Sequence, residues 1–460
     1  MVTERPHEMR DPIHGFIKLS KKEKKLIDTQ VFQRLRRIRQ LAMTFLVYPG
    51  AQHTRFDHSI GVMHIAGRIC QRLRELNPAR VSDEDVDRVR LAALLHDVGH
   101  GPFSHVSEYL LDAYALDQTN MGPMREKIHE KITVDIVRTD PEIRDILSEE
   151  ERDFVADMIQ GQDTQDWQRD IVSSELDADK MDYLLRDSYF TGVKYGIYDL
   201  EKIIESCLIE VDKTETSLAI SSRGIYALEQ LLLARYHMTQ QVYWHRVSLI
   251  SNEMIIRGIT LAIKAGNTKM KELYQYDEND KENFIQKYLN YHDENVVDIL
   301  RNCPQEKAQA IFNRLYDRKL FKTVANLRLK DETHIRVKRR LLAMKDDPQL
   351  RQQLETAIAD HLRIDADYVI IKPLQIRNPN YGSRSYILNP EAITIVDEWS
   401  SEPRTMSDYT SELFFARPPT DDETSLEMVQ VYVPPEGDNL SQKRQRLALE
   451  PEIQNILRSA

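Results

Sequence analysis

The stretch Leu91-Ala92-Ala93-Leu94-Leu95-His96-Asp97-Val98-Gly99-His100-Gly101-Pro102-Phe103-Ser104-His105 decides how the rest of the chain is read. Its apolar run, Leu91 to Leu95, predicts a buried helix that ends in an adjacent His96-Asp97 pair. Burying a bare carboxylate beside imidazoles is costly unless a cation compensates. A divalent metal ion is the simplest such cation, because it takes neutral imidazole nitrogen and carboxylate oxygen together. Successive helical residues diverge by about 100°, so His96 and Asp97 can face one ion only at a helix end or bend. The following Val98-Gly99-His100-Gly101-Pro102 supplies that end. Further ligands must come from elsewhere in the chain. His58, in Arg55-Phe56-Asp57-His58-Ser59, is the upstream candidate, and Asp179, in Leu176-Asp177-Ala178-Asp179-Lys180, the downstream one.

Outward from this motif, the 460-residue chain is 30% charged and 41% hydrophobic, the balance of a globular helical protein rather than a disordered or membrane one. No apolar stretch reaches bilayer-spanning length, and the opening Met1-Val2-Thr3-Glu4-Arg5-Pro6 has no signal-peptide character. Cys70, Cys207 and Cys303 are too few and too scattered for a disulfide framework or a thiolate metal site, which points to a cytoplasmic location. The net charge of −11 gives no support to nucleic-acid binding. That charge is uneven: Lys18, Lys21, Lys22, Lys24, Lys25, Arg34, Arg36, Arg37 and Arg39 face only Glu23 and Asp28 within their segment. Such a run is either a solvated helix face or a site for a polyphosphate anion.

Sparse glycine and proline and long helical apolar spacing predict a mainly α fold over residues 1–340. The expected helices are Val31–Leu41, Asp57–Leu76, Asp83–Leu95, Ser104–Ala115, His129–Arg138, Glu149–Gln160, Asp170–Asp187, Leu200–Ile209, Ile225–Lys264 and Asp293–Leu315. Asp83 and Asp293 sit where a cap or first-turn acid helps a helix begin. A hairpin is expected around Glu210–Ile220. Residues 341–460 read as a small α+β region, with strands at Tyr368–Ile376, Ser385–Leu388, Ala392–Val396 and Met428–Val433. A polar, mobile tail is expected after Asp438.

The order His58, His96-Asp97, Asp179 resembles the HD-domain phosphohydrolases, whose metal ligands run H…HD…D. The wider set of motifs is similar to one branch, the deoxynucleoside triphosphate triphosphohydrolases, which includes a mammalian sterile-alpha-motif/HD-domain enzyme and bacterial relatives. These motifs are Asp11-Pro12-Ile13-His14-Gly15, Phe32-Gln33-Arg34-Leu35-Arg36, Gln40-Leu41, Tyr48-Pro49-Gly50-Ala51, Arg55-Phe56-Asp57-His58-Ser59, the quoted segment from His96 to His105, and Asp177-Ala178-Asp179-Lys180-Met181-Asp182-Tyr183. The likeness runs from about residue 9 to Arg318-Lys319-Leu320-Phe321-Lys322, without a sterile-alpha-motif domain. It implies an HD helical core and hydrolysis of a dNTP to deoxynucleoside and inorganic triphosphate.

The resemblance assigns roles residue by residue. His58, His96, Asp97 and Asp179 would hold Mn²⁺, Mg²⁺, Fe²⁺ or Co²⁺, with Zn²⁺ also admissible. His105 and His129 look like the family's catalytic histidines, Glu108 like the acid that orients one, and His100 like a phosphate-contacting or catalytic residue. Arg55 and Lys180 are candidate phosphate clamps. Tyr183 would pack on the sugar, Asp187 would accept the 3′-hydroxyl, and Gln40 and Leu41 would crowd a ribose 2′-hydroxyl. Arg235 and Tyr243 match active-site positions on a stripe with Thr239, where the mammalian enzyme has histidine. Asp28, Gln33, Arg36, Arg318 and Lys322 match an activator site for GTP or dGTP, which in such enzymes assembles a homotetramer. Glu201 and Ser221 stand where the mammalian enzyme has basic residues. A phosphomonoesterase or nuclease on the same ligands, and a nucleotide-sensing regulatory protein, are the alternatives.

Overall fold

The computed structural model describes residues 4–116, 128–160, 166–212, 215–329, 332, 334–344, 347–376, 392–397, 403–409, 425–436 and 443–459. It is mainly α, and it divides into two compact units. The first comprises 1–244, 271–296 and 386–418; the second comprises 245–270, 297–385 and 419–460.

Six helices of the first unit carry or lead into the site residues: α1 (Arg55–Leu76), α2 (Asp83–Leu95), α3 (His105–Tyr114), α4 (Ile128–Thr139), α5 (Ala178–Thr191) and α6 (Ile225–Met238). Helix α1 is central, burying Phe56, Ile60, Val62, Met63, Ile65, Ala66, Ile69 and Leu73, and it packs on both α2 and α5. Full burial of such side chains stabilises by roughly 1.5–3 kcal/mol each, which makes α1 the anchor of the unit. Its start is fixed by Asp57, whose carboxylate accepts from the Thr54 backbone N–H (3.0 Å) and hydroxyl (2.9 Å). The α1–α5 approach passes through Gly61, where any Cβ would overlap Asp182 and Arg186 of α5. Helix α2 spans Asp83–Leu95 as expected, with Asp83 as a first-turn acid and Ser82 and Asp85 forming its capping box.

Several expected helices are shorter. Val31–Leu41 is a helix only over Gln30–Arg34, followed by a 3-10 turn at Leu35–Arg37, because Arg39 and Thr54 form a backbone bridge. The run Asp170–Asp187 is two helices, Trp167–Val172 and α5, since Asp177 turns its carboxylate onto the Lys180 N–H (2.8 Å) and starts a new helix. Leu200–Ile209 stops at Ser206, and Cys207–Asp212 pairs antiparallel with Glu215–Ser221 as the expected hairpin, extended at both ends. Thr394–Val396 joins that hairpin in parallel. Ile225–Lys264 is interrupted by a π turn at Thr239–Tyr243 and a break at Trp244 before Arg246–Lys264 resumes. Asp293–Leu315 is Asp293–Arg301 and Glu306–Tyr316, separated around Pro304. A hairpin missed in the sequence, His7–Asp11 with Gly15–Leu19, opens the unit.

The second unit is built on an antiparallel three-stranded sheet with Ser425–Val433 between Lys322–Arg328 and Ile370–Ile376. Helices Ile335–Ala343, Pro348–Leu362 and Glu450–Ser459 supply its core, with Leu341, Leu354, Ile358, Val431, Ile453 and Leu457 buried together. The expected mobile tail is therefore wrong over residues 443–459: it forms two helices, and Ile453 and Leu457, four apart on one face, are fully buried. The expected strand Ser385–Leu388 lies outside the described residues. No described helix is long and apolar enough to cross a membrane.

Candidate active site

The ends of α1, α2 and α5 bring the four expected ligands together. His58 Nε2 lies 2.8 Å from Asp179 Oδ1 and 3.8 Å from Asp97 Oδ2. His96 Nε2 lies 3.2 Å from Asp97 Oδ1 and 3.9 Å from Asp179 Oδ1. Ligand atoms about 2.1 Å from one ion are roughly 3–4 Å from each other, so these separations suit a shared cation. Nε2 of both histidines is buried and makes no hydrogen bond, although the carboxylate oxygens lie close. That is the state of nitrogens shaped for a metal. The residues fit a divalent ion, and His58, His96, Asp97 and Asp179 would hold it.

A second layer of ion pairs fixes these ligands, and the sequence reading gave its members no role. Asp182, three residues after Asp179, is fully buried and accepts from His58 Nδ1 (2.9 Å), leaving Nε2 to face the centre. The same carboxylate accepts from His14 Nε2 (2.7 Å), Arg186 Nε (2.7 Å) and Arg186 Nη2 (2.9 Å), and Arg186 Nη1 reaches Asp11 at 2.8 Å. Burial opposes a charged His58, yet Asp179 and Asp182 outweigh it and raise its pKa to about 10. Two carboxylates that favour a proton at that point favour a metal cation for the same reason. Burial likewise opposes the Asp182 carboxylate, and Arg186, His14 and His58 nevertheless hold its pKa well below the ordinary value. The only sequence signal was the i, i+3, i+7 spacing of Asp179, Asp182 and Arg186 on one helix.

Arg55, expected as a phosphate clamp, is buried with Nη1 on Asp97 Oδ2 (2.6 Å) and Nε on Ser104 Oγ (2.8 Å), while Nη2 makes no hydrogen bond. It acts first on a ligand. Burial resists the Asp97 charge, but Arg55, His96 and His100 keep its pKa well below the usual range. Lys180 is tied to Asp177 (2.6 Å) and the Ser174 carbonyl (2.7 Å).

Beside the ligands stands a second group, His100, Glu108 and His129. His100 and His129 are buried and stack at 4.2 Å, whereas the His105 side chain is 78% exposed and donates from Nδ1 to Glu108 Oε1 (2.9 Å). Burial opposes the Glu108 charge, but His129, His105 and His100 depress its pKa well below normal. The turn entering α3 is unusual: Phe103 and Ser104 both adopt left-handed backbone, with φ 65° and 53°. It is pinned by Asp293, which accepts from Phe103 N (2.8 Å) and Arg39 N (3.0 Å), and by Ser104 Oγ donating to the Arg39 carbonyl (2.8 Å). Arg34, counted in the basic run, is buried and donates to the His100 and Tyr291 carbonyls at 2.8 and 2.9 Å.

The expected sugar residues divide. Asp187 is buried and accepts from His53 Nε2 (2.7 Å) and Tyr243 Oη (2.7 Å), with Tyr183 beside Tyr243 at 6.3 Å between ring centroids. His53 was missed. Gln40 is buried, its backbone N–H on the His53 carbonyl (3.1 Å) and its Oε1 without a hydrogen bond, and Leu41 is half-buried. Thr239 bonds its own helix at the Arg235 carbonyl (2.8 Å), and Arg235 lies 3.9 Å from Glu175.

Of the expected activator residues, Asp28 pairs with Lys24, and Gln33 accepts from Arg36 Nε (2.9 Å) while donating to the Ile27 carbonyl (2.7 Å). The exposed Arg36 guanidinium lies 3.4 Å from the centroid of Phe56. Arg318 and Lys322 belong to the second unit, where burial and the charges of Arg446, Arg318 and Arg246 lower the Lys322 pKa.

The HD domain family matches residues 55–187, which include all four candidate ligands, and the HD associated region family matches residues 198–408. The chain carries an HD domain, and with its His/Asp group this implies a metal-dependent hydrolase. It is 37% identical over 284 residues to an uncharacterised protein of Methanocaldococcus jannaschii, covering 62% of this chain and 56% of that one. It is 30% identical over 327 residues to the Dictyostelium discoideum homologue of deoxynucleoside triphosphate triphosphohydrolase SAMHD1, covering 69% and 59%. A crystal structure of a hypothetical protein from Aquifex aeolicus aligns with a TM-score of 0.69 at 26% identity, over 98% of this chain and 99% of that one. The chain spans about half the length of the curated relatives it matches.

Proposed function

We propose that this protein hydrolyses deoxynucleoside triphosphates to deoxynucleoside and inorganic triphosphate at the centre formed by His58, His96, Asp97 and Asp179. The observation that carries the reading is the convergence of these four side chains, with the buried Asp187–Tyr243 pair, 2.7 Å apart, about two turns further along α5. The similarity to a triphosphohydrolase homologue supports the choice of substrate. A bound Mn²⁺, Mg²⁺, Fe²⁺ or Co²⁺ ion would polarise the α-phosphate and lower the pKa of a water.

The chain's own groups do the rest. Arg55 holds the Asp97 carboxylate and keeps one nitrogen for a phosphate oxygen. His105, oriented by Glu108, is exposed and placed to give a proton to the leaving oxygen, with His129 and His100 packed behind it. Lys180 and Arg235 line the triphosphate path. Asp187, steadied by Tyr243, receives the 3′-hydroxyl; Tyr183 flanks the sugar, and Gln40 and Leu41 leave no room for a 2′-hydroxyl. Asp28, Gln33 and Arg36, with Arg318 and Lys322, serve a GTP or dGTP activator in a homotetramer. The buried free thiols Cys70, Cys207 and Cys303 suit a cytoplasmic setting.

The test is incubation of purified protein with each dNTP and Mn²⁺ or Mg²⁺, alone and in mixtures, with chromatographic identification of products. Inorganic triphosphate is expected, lost in Asp97→Asn. Orthophosphate or cleaved DNA as the product would place the protein among phosphomonoesterases or nucleases instead. Nucleotide binding without turnover would make it a sensor.

A further inference from the structure

We propose that His53 is a specificity-setting residue: it positions the Asp187 carboxylate as the acceptor for a nucleotide's free 3′-hydroxyl. The proposal rests on the triphosphohydrolase reading and gives a role to a side chain that this reading leaves idle. The His53 side chain is 0% exposed and engages two residues of α5 that lie three apart on one helix face. Its edge meets Asp187, Nε2 to Oδ1 at 2.7 Å, and its face stacks on Phe190 at 4.7 Å between centroids and 19° between planes. The loop before it comes close to α5 at Gly50, where any Cβ would overlap the Phe190 carbonyl oxygen. The His53 carbonyl accepts from the Gln40 backbone N–H at 3.1 Å, so one residue touches both Gln40 and Asp187 of the expected sugar site.

Nδ1 of His53 is buried and makes no hydrogen bond. A proton there would be a buried donor without an acceptor, so the neutral ring carries its one proton on Nε2 and gives it to Asp187. The carboxylate receives a second donor, Tyr243 Oη, on Oδ2 at 2.7 Å. One donor on each oxygen fixes the plane of the group and leaves a lone pair on each. With both partners donating, the carboxylate stays an acceptor, and only a ligand that brings its own proton completes it. A 3′-hydroxyl does so. A 3′-hydrogen leaves the buried charge one donor short, and a 3′-ester, as within a DNA strand, brings no proton at all.

The test compares a dNTP with its 2′,3′-dideoxy analogue, as kcat/KM, in the full wild-type chain and in two variants. His53→Phe keeps the stack on Phe190 and removes the donor; His53→Gln keeps a donor near the place of Nε2. The wild type should prefer the dNTP by about a hundredfold or more. His53→Phe should cut that preference by about tenfold or more, with His53→Gln restoring most of it. A side chain needed only for folding would lower both substrates alike and leave the preference intact. A preference unchanged in His53→Phe, or absent in the wild type, overturns the proposal while dNTP hydrolysis still stands. If His53→Phe misfolds, His53→Asn, whose amide stops at the place of Nδ1, replaces it with the same two outcomes. No hydrolysis of any dNTP by the wild type removes the hydrolase reading itself, and this inference with it.

Discussion

Replacing Asp182 with asparagine tests whether the buried ion network holds the metal ligands in place. The carboxylate receives four donors, His14 Nε2 and Arg186 Nη2 on Oδ1 and His58 Nδ1 and Arg186 Nε on Oδ2. Asparagine has nearly the same shape but turns an NH₂ group toward two of them. Arg186, fully buried, keeps only Asp11 as its anion. Removing one partner of a buried pair costs about 3–5 kcal/mol, because a charge is left uncompensated. A ligating histidine that loses its supporting carboxylate loses about 10–100-fold in metal affinity. Asp182→Asn should therefore lower the unfolding free energy of the chelator-treated protein by about 3–5 kcal/mol in urea at neutral pH, with an unchanged slope. Mn²⁺ calorimetry should give the affinity loss. The difference between the proteins has a pH signature. The native Asp182 carboxyl is depressed, so its contribution is complete above the unfolded value near pH 3.9 and is lost as pH falls through the lower native value. A variant within about 1 kcal/mol of wild type, binding Mn²⁺ as tightly, would refute the argument.

Gly61→Ala forces a Cβ into Asp182 and Arg186, and overpacking of about 1–3 kcal/mol should appear as a lower melting temperature; an unchanged melt would mean that α1 and α5 separate easily. Tyr243→Phe removes one donor to Asp187, a hydrogen bond to a charged group worth about 1.5–3 kcal/mol, and should raise KM for the proposed dNTP substrate more than it lowers kcat in steady-state assays. Burial, then the charges of His14, Arg68 and Arg90, lower the His64 pKa to about 4. The unfolded chain then binds more protons between about pH 4 and 6.5, so stability rises with pH across that window. His64→Gln should flatten the rise, as measured by urea unfolding at several pH values.

What the sequence disclosed, and what it hid, follow from range. The apolar run before His96 and the spaced ligands were visible because helical periodicity and metal chemistry are written in residue type. Helix α2 matched to the residue because Ser82 and Asp85 give a strong start and Gly99 a clear stop. The break at Asp177 was overridden by continuing apolar spacing, although an Asp three residues before Lys180 is a cap signal. Asp182 was readable as a polar residue in a motif but not as the hub of a network. Its partners His14 and His58 are 168 and 124 residues away, and nothing local announces such pairing. The last helix differs: charged residues around Ile453 and Leu457 suggest a solvated tail, while their four-residue spacing places both on one buried face.

The left-handed pair Phe103-Ser104 has a consequence for how the enzyme can evolve. Non-glycine residues held there cost of order 1–3 kcal/mol each, yet Phe103 is fully buried and its loss costs about 3–5 kcal/mol, so glycine would relax the turn and still weaken the fold. It would also unshackle the start of α3 and let His105 wander from its station beside Glu108. A lineage selected for heat tolerance and one selected for turnover both lose by such a change. Both positions should accordingly resist substitution, with Phe103→Gly both less resistant to urea and slower than its parent.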